Sequence, residues 1–225
     1  MLDFIGTLAD LAITVFIVAA LVASADLSLR GRLVAASVMA LWAGFAAASA
    51  AAGWTAIRQP PVIGFYVGAP LVAAVLFARR ALATLPLRLM IGLNIARVIG
   101  ILFVLLAAEG RLSGPFPQSA GWGDVITGLV AVPMLGLAKD PRRNALALHA
   151  WNLFGLADLV AAIALGVTSA DGSLLQIFPA PGSEAMQHLP WSMVPTVLVP
   201  FWMVLHAAIF VRLQRLVSPS PRAPG

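Results

Sequence analysis

Nine side chains able to bind a ligand, carry a proton or ligate a metal sit inside runs that are otherwise apolar: Asp10, Tyr66, Asn94, Arg97, Asp124, His149, Asn152, Asp158 and His206. An ionised side chain at the centre of a bilayer costs about 2.5 to 3.5 kcal/mol on insertion scales, so such residues face a protein interior and find partners there. Arg97 is the only basic residue deep in any of these runs. It stays charged at any workable pH, and Asp158 is its expected partner, with Asp124 a less comfortable alternative by depth. That pair either fixes helix register, or neutralises an anionic substrate, or sets the charge of a proton-carrying Asp158. Asp10 and Tyr66 belong to the same outer polar pocket by depth, or bond locally near the headgroups. Asn94 and Asn152 either line the pocket or hold helices together. His149 and His206 each stand six residues from a bounding arginine, Arg143 and Arg212, which puts both about 9 Å from one membrane surface. Two imidazoles at one depth are the minimum set for a haem b iron, and also suit a metal ion or a quinone.

The elements that must position these groups are membrane helices. The chain has 225 residues, 61% hydrophobic and 10% charged, with a mean hydropathy of +0.97, whereas soluble domains carry roughly a quarter charged residues. Apolar runs over about 4–22, 33–52, 62–77, 87–108, 120–138, 145–167 and 191–211 predict an all-α bundle of seven spans forming one transmembrane domain. The first run is read as a retained helix rather than a cleaved leader, because no basic residue precedes it. Pro70 and Pro133 predict kinks, and Pro190, Pro195 and Pro200 exclude a regular helix in the outer half of the last span. Asp124 is placed near the start of the fifth span, where it lines the pocket or caps the helix. Trp54, Trp122 and Trp191 are expected as interface anchors.

Eleven basic residues fall on one side of these spans: Arg30, Arg32, Arg79, Arg80, Arg88, Lys139, Arg142, Arg143, Arg212, Arg215 and Arg222. Only Arg58 and Arg111 fall on the other. The positive-inside rule then places the N-terminus outside and the C-terminus in the cytoplasm of a bacterial-type inner membrane. The formal charge of +5 is therefore a topology signal in short loops, and nucleic-acid binding is excluded. The absence of cysteine removes disulfides, thiolate metal sites and a cysteine nucleophile.

Gly121-Trp-Gly-Asp124 resembles the Gly-x-Gly-Asp motif of intramembrane aspartyl peptidases, including the prepilin peptidases. The resemblance implies that Asp124 is one of two catalytic aspartates, with Asp158 as the geometrically workable partner. Asp26 is loosely similar to the first catalytic region of that family, but no Ile-Pro-Asn follows it, no Lys follows Asp124, and the topology puts Asp26 and Asp124 on opposite faces. A retinal Schiff base is excluded because the one lysine, Lys139, lies in a loop. The leading expectation is a membrane protein whose polar pocket binds or moves a small ligand or a proton, as transporter, sensor or accessory protein. A haem- or quinone-binding oxidoreductase subunit and a structural subunit of a larger complex are the rivals. The partners expected are the lipid bilayer, a small-molecule ligand, and a membrane-protein partner or second copy.

Overall fold

The computed structural model describes residues 1–55 and 59–217, so Arg58 and Arg222 of the charge count lie outside the described residues. Seven helices are long and apolar enough to cross a membrane: α1 (Leu2–Ser24), α2 (Leu29–Ala51), α3 (Pro60–Thr84), α4 (Leu87–Ala108), α5 (Pro115–Leu137), α6 (Ala145–Ser169) and α7 (Val194–Leu216). Among the described residues there is no strand. The protein interior belongs to the second half of the chain. Of the most apolar window, 56% is buried in α4 against 17% in each of α1, α2 and α3. Helices α4 to α7 pack as a four-membered core, α3 and α2 lean on α7, and α1 lies against α2 and the C-terminal part of α4.

Lipid offers helices no hydrophobic reason to associate, so close packing depends on small residues. The tightest seam, between α4 and α5, is made by glycines. A Cβ on Gly121 would stand 2.9 Å from the Gly100 carbonyl oxygen, and one on Gly128 would stand 2.9 Å from the Val98 nitrogen. Along this seam α4 narrows from α-helix to 3-10 helix over Asn94–Gly100. Such mid-helix stretches are uncommon and often mark a functional position.

Several boundaries differ from the sequence reading, each for a local reason. Helix α5 starts at Pro115, because Gly114, at φ +70°, turns the chain and Pro115 occupies the first helical position. Asp124 therefore lies two turns inside the helix and caps nothing. Helix α3 does not close at Arg79 and Arg80. It passes through a π turn at Ala74–Ala78, one turn beyond Pro70, and runs on to Thr84. The N-terminal end of α7 is a π turn, Val194–Leu198, carrying Pro195. Pro200 has no N–H to offer the Thr196 carbonyl one turn back, and the indole of Trp42 on α2 donates to that oxygen instead, at 2.9 Å. Trp191 is no interface anchor: it is buried, donates to Asp3 Oδ1 at 2.7 Å, and presses its ring against Gly6. Trp54 and Trp122 are exposed, as interface anchors are.

Candidate functional site

Arg97 stands roughly midway along α4, fully buried, and its guanidinium ties together the other three core helices. Nε donates to Asp124 Oδ1 on α5 at 2.6 Å, and Nη2 donates to Asp158 Oδ2 on α6 at 2.6 Å. Nη1 donates to the Gly155 carbonyl of α6 at 3.0 Å and to His206 Nε2 of α7 at 2.9 Å. The ring of Trp202, one turn from His206, lies 5.8 Å from the guanidinium carbon, within cation–π range. Arginine alone among side chains has a fork of five donors with which to make so many directed bonds at once.

The bond from Arg97 requires His206 Nε2 to be an acceptor, so the ring proton sits on Nδ1. That N–H donates to Asn152 Oδ1 at 2.8 Å, and the Asn152 amide in turn donates to the His206 carbonyl at 3.0 Å. Hydrogen-bond polarity is thus set from Arg97 through a neutral His206 to Asn152. A second chain supports the first: Trp151 donates to the Thr127 carbonyl at 3.1 Å, and the Thr127 hydroxyl to the Gly123 carbonyl at 2.8 Å.

Space for the charges is made by two further glycines. A Cβ on Gly123 would overlap the Asp158 carboxylate, and one on Gly155 would stand 2.5 Å from His206 Cε1 and 2.9 Å from Thr127 Cγ2. Gly121 and Gly123 of the peptidase-like motif therefore have packing roles, against Gly100 and Asp158 respectively. The paired aspartates of that resemblance do meet, but on one guanidinium, with side chains 5% and 7% exposed, which leaves no room for a peptide.

The remaining expected residues are elsewhere. Asn94 donates to the Met90 carbonyl at 2.9 Å, and its Oδ1 is buried without a partner among the described residues. Tyr66 is buried in an aromatic cluster with Trp42, Phe45 and Phe65, ring centroids 5.6 to 6.0 Å away. Asp10 is buried on the face of α1 that also carries Leu2, Gly6 and Ile17, and neither carboxylate oxygen has a partner among the described residues. His149 lies against Phe210, ring centroids 5.4 Å apart, while Asn152, one turn along α6, meets His206. The two histidines are offset by about a turn rather than level, because α7 extends to Leu216 and so carries His206 deeper. His206 has both ring nitrogens in hydrogen bonds and offers no lone pair to iron. The pair does not fit a bis-imidazole haem. Among the described residues no group of three or more His, Asp or Glu side chains is placed to hold a metal ion.

Sequence reasoning missed Gly155, Trp151 and Trp202, and it took Gly123 only as part of a peptidase-like motif. Glycines at 121, 123, 128 and 155 inside apolar runs were the available signal, since glycine in a membrane helix marks close approach.

Residues 62–214, well over half of the chain, match the family described as a domain of unknown function, DUF8737. The chain belongs to that family. No curated protein and no solved structure matches it. The DUF8737 region runs from the second residue pair of α3 almost to the end of α7, so it contains every member of the Arg97 cluster. Helices α1 and α2, with Asp10, precede it.

Proposed function

We propose that the chain is a seven-span protein of a bacterial-type inner membrane whose core binds and exchanges a proton at Arg97, Asp124 and Asp158, as the working part of a proton-linked carrier or sensor. The observation that carries this reading is the unequal charge of the cluster: two carboxylates face one guanidinium, and among the described residues neither is paired with a second cation. With both carboxylates ionised, a net negative charge is held in mid-membrane, at a cost of several kcal/mol. One proton shared between them removes it. Adjacent carboxylates sharing a proton also divide acid and base roles between them. Because the partners of Arg97 are spread over three other helices, gaining or losing that proton changes the force holding four helices together.

The surrounding space favours a proton over an organic substrate. A cavity of about 40 Å³ reaches Asp124 from the outer half of the bundle, between Phe103, Phe116, Ser183 and Pro195. That is room for two or three waters at roughly 15 Å³ each, whereas pockets for small organic ligands run to about 300–1,000 Å³. The N-terminus outside and C-terminus in the cytoplasm follow from the eleven-to-two distribution of basic residues. Alkaline phosphatase fused at the C-terminus is then expected to be inactive and a fusion near Glu184 active; an active C-terminal fusion reverses the topology.

Infrared spectroscopy of the reconstituted protein tests the shared proton. Asp10 is a second buried carboxyl, so the measurement is made in an Asp10→Asn background. A carboxylic C=O band that shifts in D2O is expected there at neutral pH, and it is expected to vanish in both Asp124→Asn and Asp158→Asn, each of which leaves one carboxylate balanced by Arg97. Absence of the band in the background protein, or its survival in both variants, contradicts the reading.

A further inference from the structure

At the end of the bundle opposite the Asp124 cavity, α3 and α7 part to leave an open groove of about 280 Å³. Toward mid-membrane its walls are apolar, with Leu71 and Val75 on α3 and Val204 and Ala207 on α7, and its rim carries Arg79, Arg212 and Arg215. No acidic residue lines it. The ion pairs of the described residues involve only Arg97 and Arg111, so the three rim arginines take part in none. Arg212 donates through Nη1 to the Ala83 carbonyl at 3.3 Å, which holds its guanidinium at the groove, yet its Nε is buried with no partner among the described residues. A buried guanidinium N–H left unmatched is a costly feature that a ligand acceptor would relieve.

Position limits what that acceptor is. Arg79 is within two turns of the end of α3, and Arg212 and Arg215 are in the last turns of α7. At about 1.5 Å per residue this puts all three guanidinium groups near the boundary between hydrocarbon and headgroups. The groove is open, and it presents a positive rim above an apolar slot. Those two features match the two halves of one kind of molecule. Arginine forks bind phosphate through charge-assisted bonds, and basic pockets between membrane helices take anionic lipid headgroups.

We propose that the groove between α3 and α7 binds an anionic phospholipid, its phosphate on Arg212, Arg215 and Arg79 and one acyl chain along Leu71, Val75 and Val204. The site is separate from the Arg97 cluster, and its test does not depend on the proton-binding reading.

The test is thermal unfolding of the full chain, delipidated in detergent, with phosphatidylglycerol or phosphatidylcholine added to the micelles or with inorganic phosphate alone. A ligand of the folded state at about a hundred times its Kd raises Tm by about 5 °C or more in a chain of this size. Phosphatidylglycerol is expected to give a shift of that order, and phosphatidylcholine and phosphate little. In Arg79→Gln/Arg215→Gln, whose altered side chains are exposed and make no structural bonds among the described residues, the phosphatidylglycerol shift is expected to fall to the phosphatidylcholine level. The Tm of this variant in phosphatidylcholine is expected to match that of the unaltered protein. Equal shifts with the two lipids, a full shift with phosphate alone, or an undiminished shift in the variant each overturns the proposal.

Discussion

Arg97→Leu is expected to lower stability by about 3 to 5 kcal/mol, the range for a buried ion pair left with one partner uncompensated. Here the Asp124–Asp158 pair loses its one counter-ion. The Gly155 carbonyl and His206 Nε2 also lose their donor, and each buried polar group left unsatisfied costs about 1 to 3 kcal/mol. The loss therefore belongs at the upper end of that range, against a total stability for a folded domain of about 5 to 15 kcal/mol. At about 2 to 4 °C per kcal/mol for 150 to 250 residues, Tm in detergent is expected to fall by 10 °C or more. Arg97→Lys is expected to recover only part of this, since an ammonium is a point charge and cannot span Asp124, Asp158 and His206 at once. A fall of less than about 2 °C in Arg97→Leu would show that the guanidinium is not what joins these helices.

Adding a single methyl group at Gly155 is expected to cost nearly as much. The new Cβ would lie 2.5 Å from His206 Cε1 and 2.7 Å from its Nε2, with Thr127 Cγ2 closing the other side at 2.9 Å. The imidazole cannot yield without stretching its bonds to both Arg97 and Asn152, and it is fully buried. Overpacking costs about 1 to 3 kcal/mol, to which a lost buried hydrogen bond adds a further 1 to 3. Gly136→Ala, on α5 with nothing within 4 Å of its added Cβ, is the control. It is expected to be neutral or to stabilise by up to about 1 kcal/mol, as alanine does for glycine in a helix. Equal Tm values for Gly155→Ala and Gly136→Ala in the same detergent would count against the close approach of α6 and α7.

How far the site was legible depended on which property each residue revealed. Hydropathy displays span number because the bilayer demands about twenty apolar residues per crossing. Arg97 and Asp158 could be paired because a guanidinium in mid-membrane needs a counter-charge and depth left few choices. Asp124 was harder to place. Gly114 and the Pro115-Phe-Pro117 stretch read as loop, when proline in the first helical turn is equally a start signal; beginning α5 there carries Asp124 down to the level of Arg97. Depth also says nothing about face. Tyr66 and Asp10 were at plausible depths yet point to other seams, Tyr66 into aromatic packing against α2 and Asp10 into the buried face of α1. His206 reached the cluster because it lies on the buried face of α7 with Trp202, Leu205, Ile209 and Leu213, and in a membrane helix the more apolar side does not say which side meets protein. The glycines at 123 and 155 act only through the helix opposite, so their roles depend on interhelical register, which a single sequence does not carry.

The central claim is that Arg97 and its aspartates form one electrostatic unit at the junction of α4, α5, α6 and α7. A double-mutant cycle measures this most directly: thermal unfolding, in one detergent, of the unaltered protein, Arg97→Leu, Asp158→Leu and the combined variant. The expected result is strong non-additivity, the combined variant being more stable than the sum of the single losses predicts by about 1.5 to 3 kcal/mol, as for contacting groups in one network. If the two single losses simply add, within about 0.5 kcal/mol, Arg97 and Asp158 are not coupled, and the account of a shared buried charge fails with them.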